Sequence, residues 1–140
     1  MLNAWGKEAI FNLYRCNPYS IRSPARIADF TKTLVAAIDM KAYGAPQIIH
    51  FGTGPRGGYT LVQLIETSNI TAHFAEEENK AFINVFSCKD FDVKVAEEVI
   101  NNFFQPHNIT SIVLERDAYP KTPADSTNTS FTDNKVNYLM

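Results

Sequence analysis

Polar and apolar residues alternate over residues 8–16, around Ile10, Leu13 and Tyr14, and the pattern stops at Asn17-Pro18, which predicts a strand ending in a turn. Ser23-Pro24 then opens a helix, with serine as N-cap and proline at the first helical position. Ile27, Phe30, Leu34 and Ile38 recur at helical spacing and give that helix one apolar face; its end is predicted near Tyr43-Gly44. Strands are predicted over 47–51 and 59–66, joined by the loop Gly52-Thr53-Gly54-Pro55-Arg56-Gly57-Gly58.

A break at Thr67-Ser68 precedes a short strand over 69–74, where Ile70, Ala72 and Phe74 alternate with Asn69, Thr71 and His73. One face of that strand is therefore apolar, and the other carries the histidine. A strand over 81–87, a helix over 92–104 with Ala96, Val99 and Phe103 inward, and a last strand over 109–114 complete the pattern. The order β-α-β-β-β-β-α-β predicts an α+β fold, an antiparallel sheet with two helices on one face. It fills one domain over 1–117. Residues 118–140, rich in proline, threonine, serine and asparagine, read as a flexible tail.

Composition narrows the function. A formal net charge of -2 leaves no basic field for a nucleic acid. No apolar stretch approaches the roughly 20 residues needed to span a bilayer, and no secretory pattern opens the chain, so a cytoplasmic protein is expected, neither membrane-bound nor nucleic-acid-bound. In that setting Cys16 and Cys88 are free thiols. The three histidines lie in unrelated segments and no cysteine pair has zinc spacing, so no metal site is predicted. Gly52-x-Gly54-x-x-Gly57 has dinucleotide-turn spacing but runs into a strand rather than a helix, and reads as a turn.

The candidate chemistry lies in Ser68, His73 and Cys88, with Thr60 upstream: a serine at a strand break, a histidine as base, a cysteine as proton donor. The stretch Leu64-Ile65-Glu66-Thr67-Ser68-Asn69-Ile70-Thr71-Ala72-His73, followed by Ile83-Asn84-Val85-Phe86-Ser87-Cys88, resembles the core of the bacterial S-adenosylmethionine decarboxylases. In that family a Glu-Ser-His segment precedes a histidine five residues beyond the serine, and a Val-Phe-Thr-Cys-like run lies twenty beyond it. Both spacings are kept here. Gly6-Lys7 with Phe11-Asn12-Leu13-Tyr14-Arg15-Cys16 is similar to the family's opening strand, and His50-Phe51 to its His-x-Phe segment.

The resemblance, over residues 6 to about 116, implies a cofactor made from the chain. Ser68 would attack the Thr67 carbonyl, Thr60 would steady the oxyanion, and His73 would assist removal of the Ser68 α-proton. Cleavage between 67 and 68 then leaves a pyruvoyl group at position 68. Its carbonyl forms a Schiff base with an amino-acid substrate and draws electrons as carbon dioxide departs, and Cys88 holds the proton-donor position. Glu77 matches the acid expected to bind ribose hydroxyls, and Phe51 lies in the substrate region.

The chain departs from the family pattern at Thr67, where glutamate is usual, at Asn69 for histidine, at Ala75-Glu76-Glu77 for Trp-Pro-Glu, and at Glu8 for histidine. The implied function is decarboxylation of S-adenosylmethionine to supply the aminopropyl donor for spermidine, in a homodimer of processed protomers. Arginine or ornithine decarboxylation on the same scaffold, and an uncleaved, non-enzymatic binding or regulatory relative, are the alternatives.

Overall fold

The computed structural model describes residues 2–119. Apart from Ala118 and Tyr119, the expected tail at 118–140 lies outside the described residues. Strand β1 (Gly6–Tyr14) leads through a short helix α1 (Pro18–Ile21) into α2 (Pro24–Ala37). Strands β2 (Ala42–Phe51), β3 (Gly58–Ile65), β4 (Ser68–Ala75) and β5 (Lys80–Ser87) follow, then α3 (Val93–Phe104) and β6 (Asn108–Arg116). The strands form one six-stranded sheet in the order β2-β3-β4-β5-β1-β6. Every neighbouring pair is antiparallel.

Local chemistry accounts for the helices. Ser23 accepts a hydrogen bond from the Arg26 N–H ahead of Pro24, and Asp92 accepts from Lys94 and Val95, so each helix N-terminus has orphan donors satisfied. Helix α2 buries Ile27, Phe30, Leu34 and Val35, and α3 buries Ala96, Val99, Ile100 and Phe104. These meet Ala9, Phe11, Leu13, Leu61, Ile70, Phe74, Ile83 and Val85 from one face of the sheet. Phe104 is the keystone of that layer, with its ring 4.7 Å from Phe30 and 5.1 Å from Phe74. Burying a side chain of this size contributes about 1.5–3 kcal/mol.

Beyond shifts of one or two residues at strand ends, two features differ from the sequence expectation. Helix α2 ends at Ala37, short of Tyr43-Gly44, because Asp39 turns left-handed at φ 59° and the chain re-enters the sheet at Ala42. Strand β2 thus starts before Gln47, with its register broken by a bulge between Tyr43 and Gln47 where Gly44 and Pro46 sit. An edge strand tolerates such residues, which in sequence read as a break. The second difference is α1, one helical turn capped by Asn17, where a simple turn is predicted.

The face of the sheet away from the helices carries the alternate residues. Registers align Glu8, Phe86, Asn69 and Leu64 in one row, and Ile10, Asn84, Thr71 and Val62 in the next. Asn12, Phe82, His73, Thr60 and Ile49 make a third row. Ile49, Leu64 and Phe82 are exposed there.

Candidate active site

Pairing of Ile65 with Ser68 makes Glu66-Thr67 a two-residue hairpin turn between β3 and β4. Ser68 has φ 154°, a region that glycine populates and a side chain strains, at a cost on the order of 1–3 kcal/mol. That strain sits on the residue whose preceding peptide bond is the predicted cleavage point.

The turn is tied on both sides. The Glu66 N–H donates to the Lys41 carbonyl at 2.8 Å, and the Cys88 N–H donates to the Thr67 carbonyl at 2.9 Å. The Lys89 N–H donates to Ser87 Oγ at 2.9 Å, Ser87 Oγ to Thr67 Oγ1 at 2.8 Å, and Thr67 Oγ1 to Met40 Sδ at 3.3 Å. Lys89 Nζ reaches the Asp39 carbonyl at 2.6 Å and its carboxylate at 3.1 Å. A cavity of about 360 Å³ opens beside this turn, lined by Asp39, Met40, Lys41, Glu66, Thr67 and Lys89.

A second group lies at the other end of the sheet. Thr60 is paired with His73 across β3 and β4, with Oγ1 2.9 Å from Nδ1, and His73 Nε2 lies 2.7 Å from the Arg56 carbonyl. A carbonyl can only accept, so Nε2 carries a proton and, in the neutral ring, Nδ1 accepts the Thr60 hydroxyl. The free lone pair of the imidazole is thereby aimed at a hydroxyl. Phe51 is exposed where β2 ends at this side. Glu77 is exposed in the β4–β5 turn, its carboxylate 3.8 Å from where a Cβ on Gly54 would stand. Gly52 to Gly58 runs through a 3-10 turn over Gly54–Arg56 into β3, so the loop leads to a strand. Gly58 allows the close approach, since a Cβ there would lie 1.6 Å from the Phe74 carbonyl oxygen.

The structure thus brings Thr67, Ser68 and Cys88 together at one end, and Thr60, His73, Phe51 and Glu77 at the other. Ser68 and His73 are five residues apart on the same strand, roughly 16 Å at about 3.3 Å per residue. Within one protomer they do not meet. Sequence reasoning passed over Ser87, Met40, Lys89 and the Cys88 N–H: a backbone donor carries no sequence signal, and Ser87 stood out only as the neighbour of Cys88.

The cysteines differ sharply. Cys88 is exposed and Cys16 is buried, both as free thiols. Burial pushes the Cys16 thiol from 9.0 up to about 12, so it stays protonated and inert at neutral pH. At the Ser68 end, the hydrogen bond from Lys7 to Asp90 at 2.8 Å holds that carboxyl below its ordinary value. Among the described residues no group of three histidine, cysteine, aspartate or glutamate side chains could hold a metal ion.

The chain is thus an antiparallel sheet backed by helices, with a strained serine turn at one end and a histidine–hydroxyl pair at the other. Residues 7–117 match the family model described as S-adenosylmethionine decarboxylase, and the chain belongs to that family of carboxy-lyases. It is similar to proteins named S-adenosylmethionine decarboxylase proenzyme. That of Pyrobaculum islandicum is 26% identical over 117 residues, covering 81% of this chain and 90% of the relative. That of Pyrobaculum aerophilum is 26% identical over 115 residues, with the same coverage of 81% and 90%. The fold is similar to the crystal structure of the adenosylmethionine decarboxylase from Aquifex aeolicus, with a TM-score of 0.68 at 22% identity over 86% of this chain and 98% of that one.

Proposed function

We propose that the chain is a proenzyme that cuts itself between Thr67 and Ser68 and then decarboxylates S-adenosylmethionine, the product serving as aminopropyl donor for spermidine. The observation that carries this reading is the Thr67-Ser68 turn. Its carbonyl already accepts a backbone hydrogen bond at 2.9 Å, and the following residue is held at φ 154°. Attack of Ser68 Oγ on the Thr67 carbonyl carbon moves charge onto the oxygen that the Cys88 N–H already faces, which is the placement an oxyanion donor needs. The Ser68 nitrogen leaves as an amine and the strained backbone relaxes. Loss of the Ser68 α-proton expels the Thr67 carboxylate, and hydrolysis of the resulting enamine releases ammonia and leaves a pyruvoyl group at position 68.

When present, that group supplies the electron sink for loss of carbon dioxide. The chain's own residues supply the rest. The exposed Cys88 thiol gives a proton to the carbon left behind, Glu77 takes the ribose hydroxyls and Phe51 offers an apolar surface to the substrate. The family and the names of the relatives favour S-adenosylmethionine over arginine or ornithine, and favour an enzyme over a non-enzymatic relative. The reading includes a cytoplasmic place of work; no helix of the described residues is long and apolar enough to cross a membrane.

His73 and Thr60, with Phe51 and Glu77 at the same end of the sheet, enter through a second copy. An imidazole roughly 16 Å along β4 from Ser68 cannot take its proton. A twofold partner laid antiparallel on the open sheet face brings the His73 end of one protomer to the Ser68 end of the other. The apolar positions Ile10, Val62, Leu64, Phe82 and Phe86 on that face give the partner something to bury. In this arrangement the Thr60 hydroxyl turns from His73 Nδ1 to the oxyanion, which it steadies beside the Cys88 N–H, and leaves Nδ1 free to take the Ser68 α-proton.

Intact mass under denaturing conditions tests the proposal. Two fragments are expected, the second starting at position 68 and blocked to N-terminal sequencing, with release of labelled carbon dioxide from carboxyl-labelled S-adenosylmethionine. A chain that stays whole on long incubation, or a cleaved chain that releases none, overturns it.

A further inference from the structure

We infer that Ser87 is a positioning residue for the cleavage step, acting through Thr67; the inference rests on the reading that Ser68 cuts the 67–68 bond. Ser87 is fully buried, at the end of a strand face otherwise made of Ala81, Ile83 and Val85. A hydroxyl is out of place among such neighbours unless its bonds are made. Here both are made, one from the Lys89 N–H and one to Thr67. Ser87 Oγ accepts from the Lys89 N–H at 2.9 Å and donates to Thr67 Oγ1 at 2.8 Å. The next N–H along the chain, that of Cys88, donates to the Thr67 carbonyl at 2.9 Å.

Two consecutive residues therefore grip the side chain and the carbonyl of the residue whose carbonyl carbon is attacked. The grip continues from Thr67 Oγ1 to Met40 Sδ at 3.3 Å, which anchors the turn to the segment after α2. A run of hydroxyls bonded head to tail polarises each member and holds a single rotamer at Thr67. Thr67 occupies a position where the family pattern has a longer acid, and its short branched side chain reaches no charged partner in the turn. The Ser87 hydroxyl supplies the fixing contact instead. Once set, the Thr67 carbonyl has one orientation relative to Ser68 Oγ, and misplacement by even 1 Å costs heavily in rate.

The test follows cleavage over time in full-length chain made by cell-free synthesis, read by denaturing gel and mass. Ser87→Ala is expected to cleave about tenfold more slowly than the unmodified chain, and Ser87→Thr, which restores a hydroxyl, at nearly its rate. Thr67→Val, isosteric without the hydroxyl, is expected to lose about tenfold as well. The double variant is expected to lose about tenfold rather than a hundredfold, because both changes remove the same contact. Hydroxylamine, which splits an ester and not an amide, should release no more fragment from Ser87→Ala than from the unmodified chain, since the effect precedes ester formation. Circular dichroism at the assay temperature identifies the folded variants to compare.

Ser87→Ala cleaving at the unmodified rate, or losses that multiply to a hundredfold in the double variant, overturns the inference while leaving the cleavage reading intact. Failure of the unmodified chain to cleave, with Ser68→Ala indistinguishable from it, overturns the cleavage reading and this inference together.

Discussion

The two ends of the sheet are built on different principles. At the Ser68 end the backbone is strained and clamped, with a carbonyl, two hydroxyls and a thioether in a fixed sequence. At the His73 end the side chains are open. An imidazole leans on a carbonyl and a threonine, an acidic turn faces solvent, and a glycine loop lies beside them. Tight ends suit chemistry on the chain itself, where reacting atoms must be held without a ligand's help. Open ends suit contact with something that arrives, here a substrate and, on the proposed reading, the tight end of a second protomer. A strand of eight residues separates the two, so that on the proposed reading one chain alone carries each half of a site rather than a whole one.

The comparison breaks most cleanly by complementation. Ser68→Ala and His73→Ala are each expected to abolish cleavage alone. Mixed after unfolding and refolding together, they form dimers in which one site pairs an intact Ser68 with an intact His73. Up to about half of the Ser68-bearing chains are then expected to reach cleavage, by denaturing mass. No cleavage in the mixture would mean that both residues act within one chain.

Cys88→Ala separates backbone from side chain at the tight end. The N–H on the Thr67 carbonyl remains, so cleavage should proceed, while turnover of carboxyl-labelled S-adenosylmethionine should fall by about 10²–10⁴ for loss of a proton donor. Unchanged turnover in cleaved protein would remove the thiol from the reaction.

Stability variants sharpen the same contrast. Phe104→Ala hollows the helix layer behind the sheet and is expected to cost about 3–5 kcal/mol by urea unfolding of Ser68→Ala protein, which stays in one piece. Gly58→Ala forces a methyl to within 1.6 Å of the Phe74 carbonyl oxygen and is expected to cost about 1–3 kcal/mol in the same background. Its damage should centre on the open end, so hydrogen exchange should quicken around Thr60 and His73 before it does around Ser87. Uniform loosening would count against independent ends.

The smallest effect belongs to Cys16. Its thiol is pushed up to about 12 in the folded chain, against 9.0 ordinarily. Below pH 9 both states keep the proton and the thiol contributes no pH dependence. Above it the unfolded chain gives the proton up and the folded chain does not, so stability falls as pH rises from about 9 towards 12. Cys16→Val should flatten that part of the decline. At neutral pH a thiol reagent should label one cysteine in the native protein, Cys88, and a second only on unfolding.

Periodicity carried the fold a long way. Alternation along 69–74 and the capped amphipathic runs after Ser23 and Asp92 describe one sheet face and the helices that cover it, since burial itself imposes those periods. The misplaced boundary at α2 came from the bulged edge of β2, where Gly44 and Pro46 are compatible with a strand only because no neighbour pairs beyond it.

The site divides in the same way. The candidate residues Ser68, His73, Cys88 and Thr60 were legible in the sequence through the spacings that resemble the decarboxylase family, since residue type and spacing are properties of the chain itself. Where they stand belongs to the tertiary structure. Pairing Ser68 with Ser87 brings Cys88 and the buried hydroxyl onto the Glu66-Thr67 turn, and pairing Thr60 with His73 puts the imidazole at the far end of the same strand. Spacing along a chain measures residues. Antiparallel register turns that spacing into distance, bringing residues twenty apart into contact and holding residues five apart at opposite ends of a sheet.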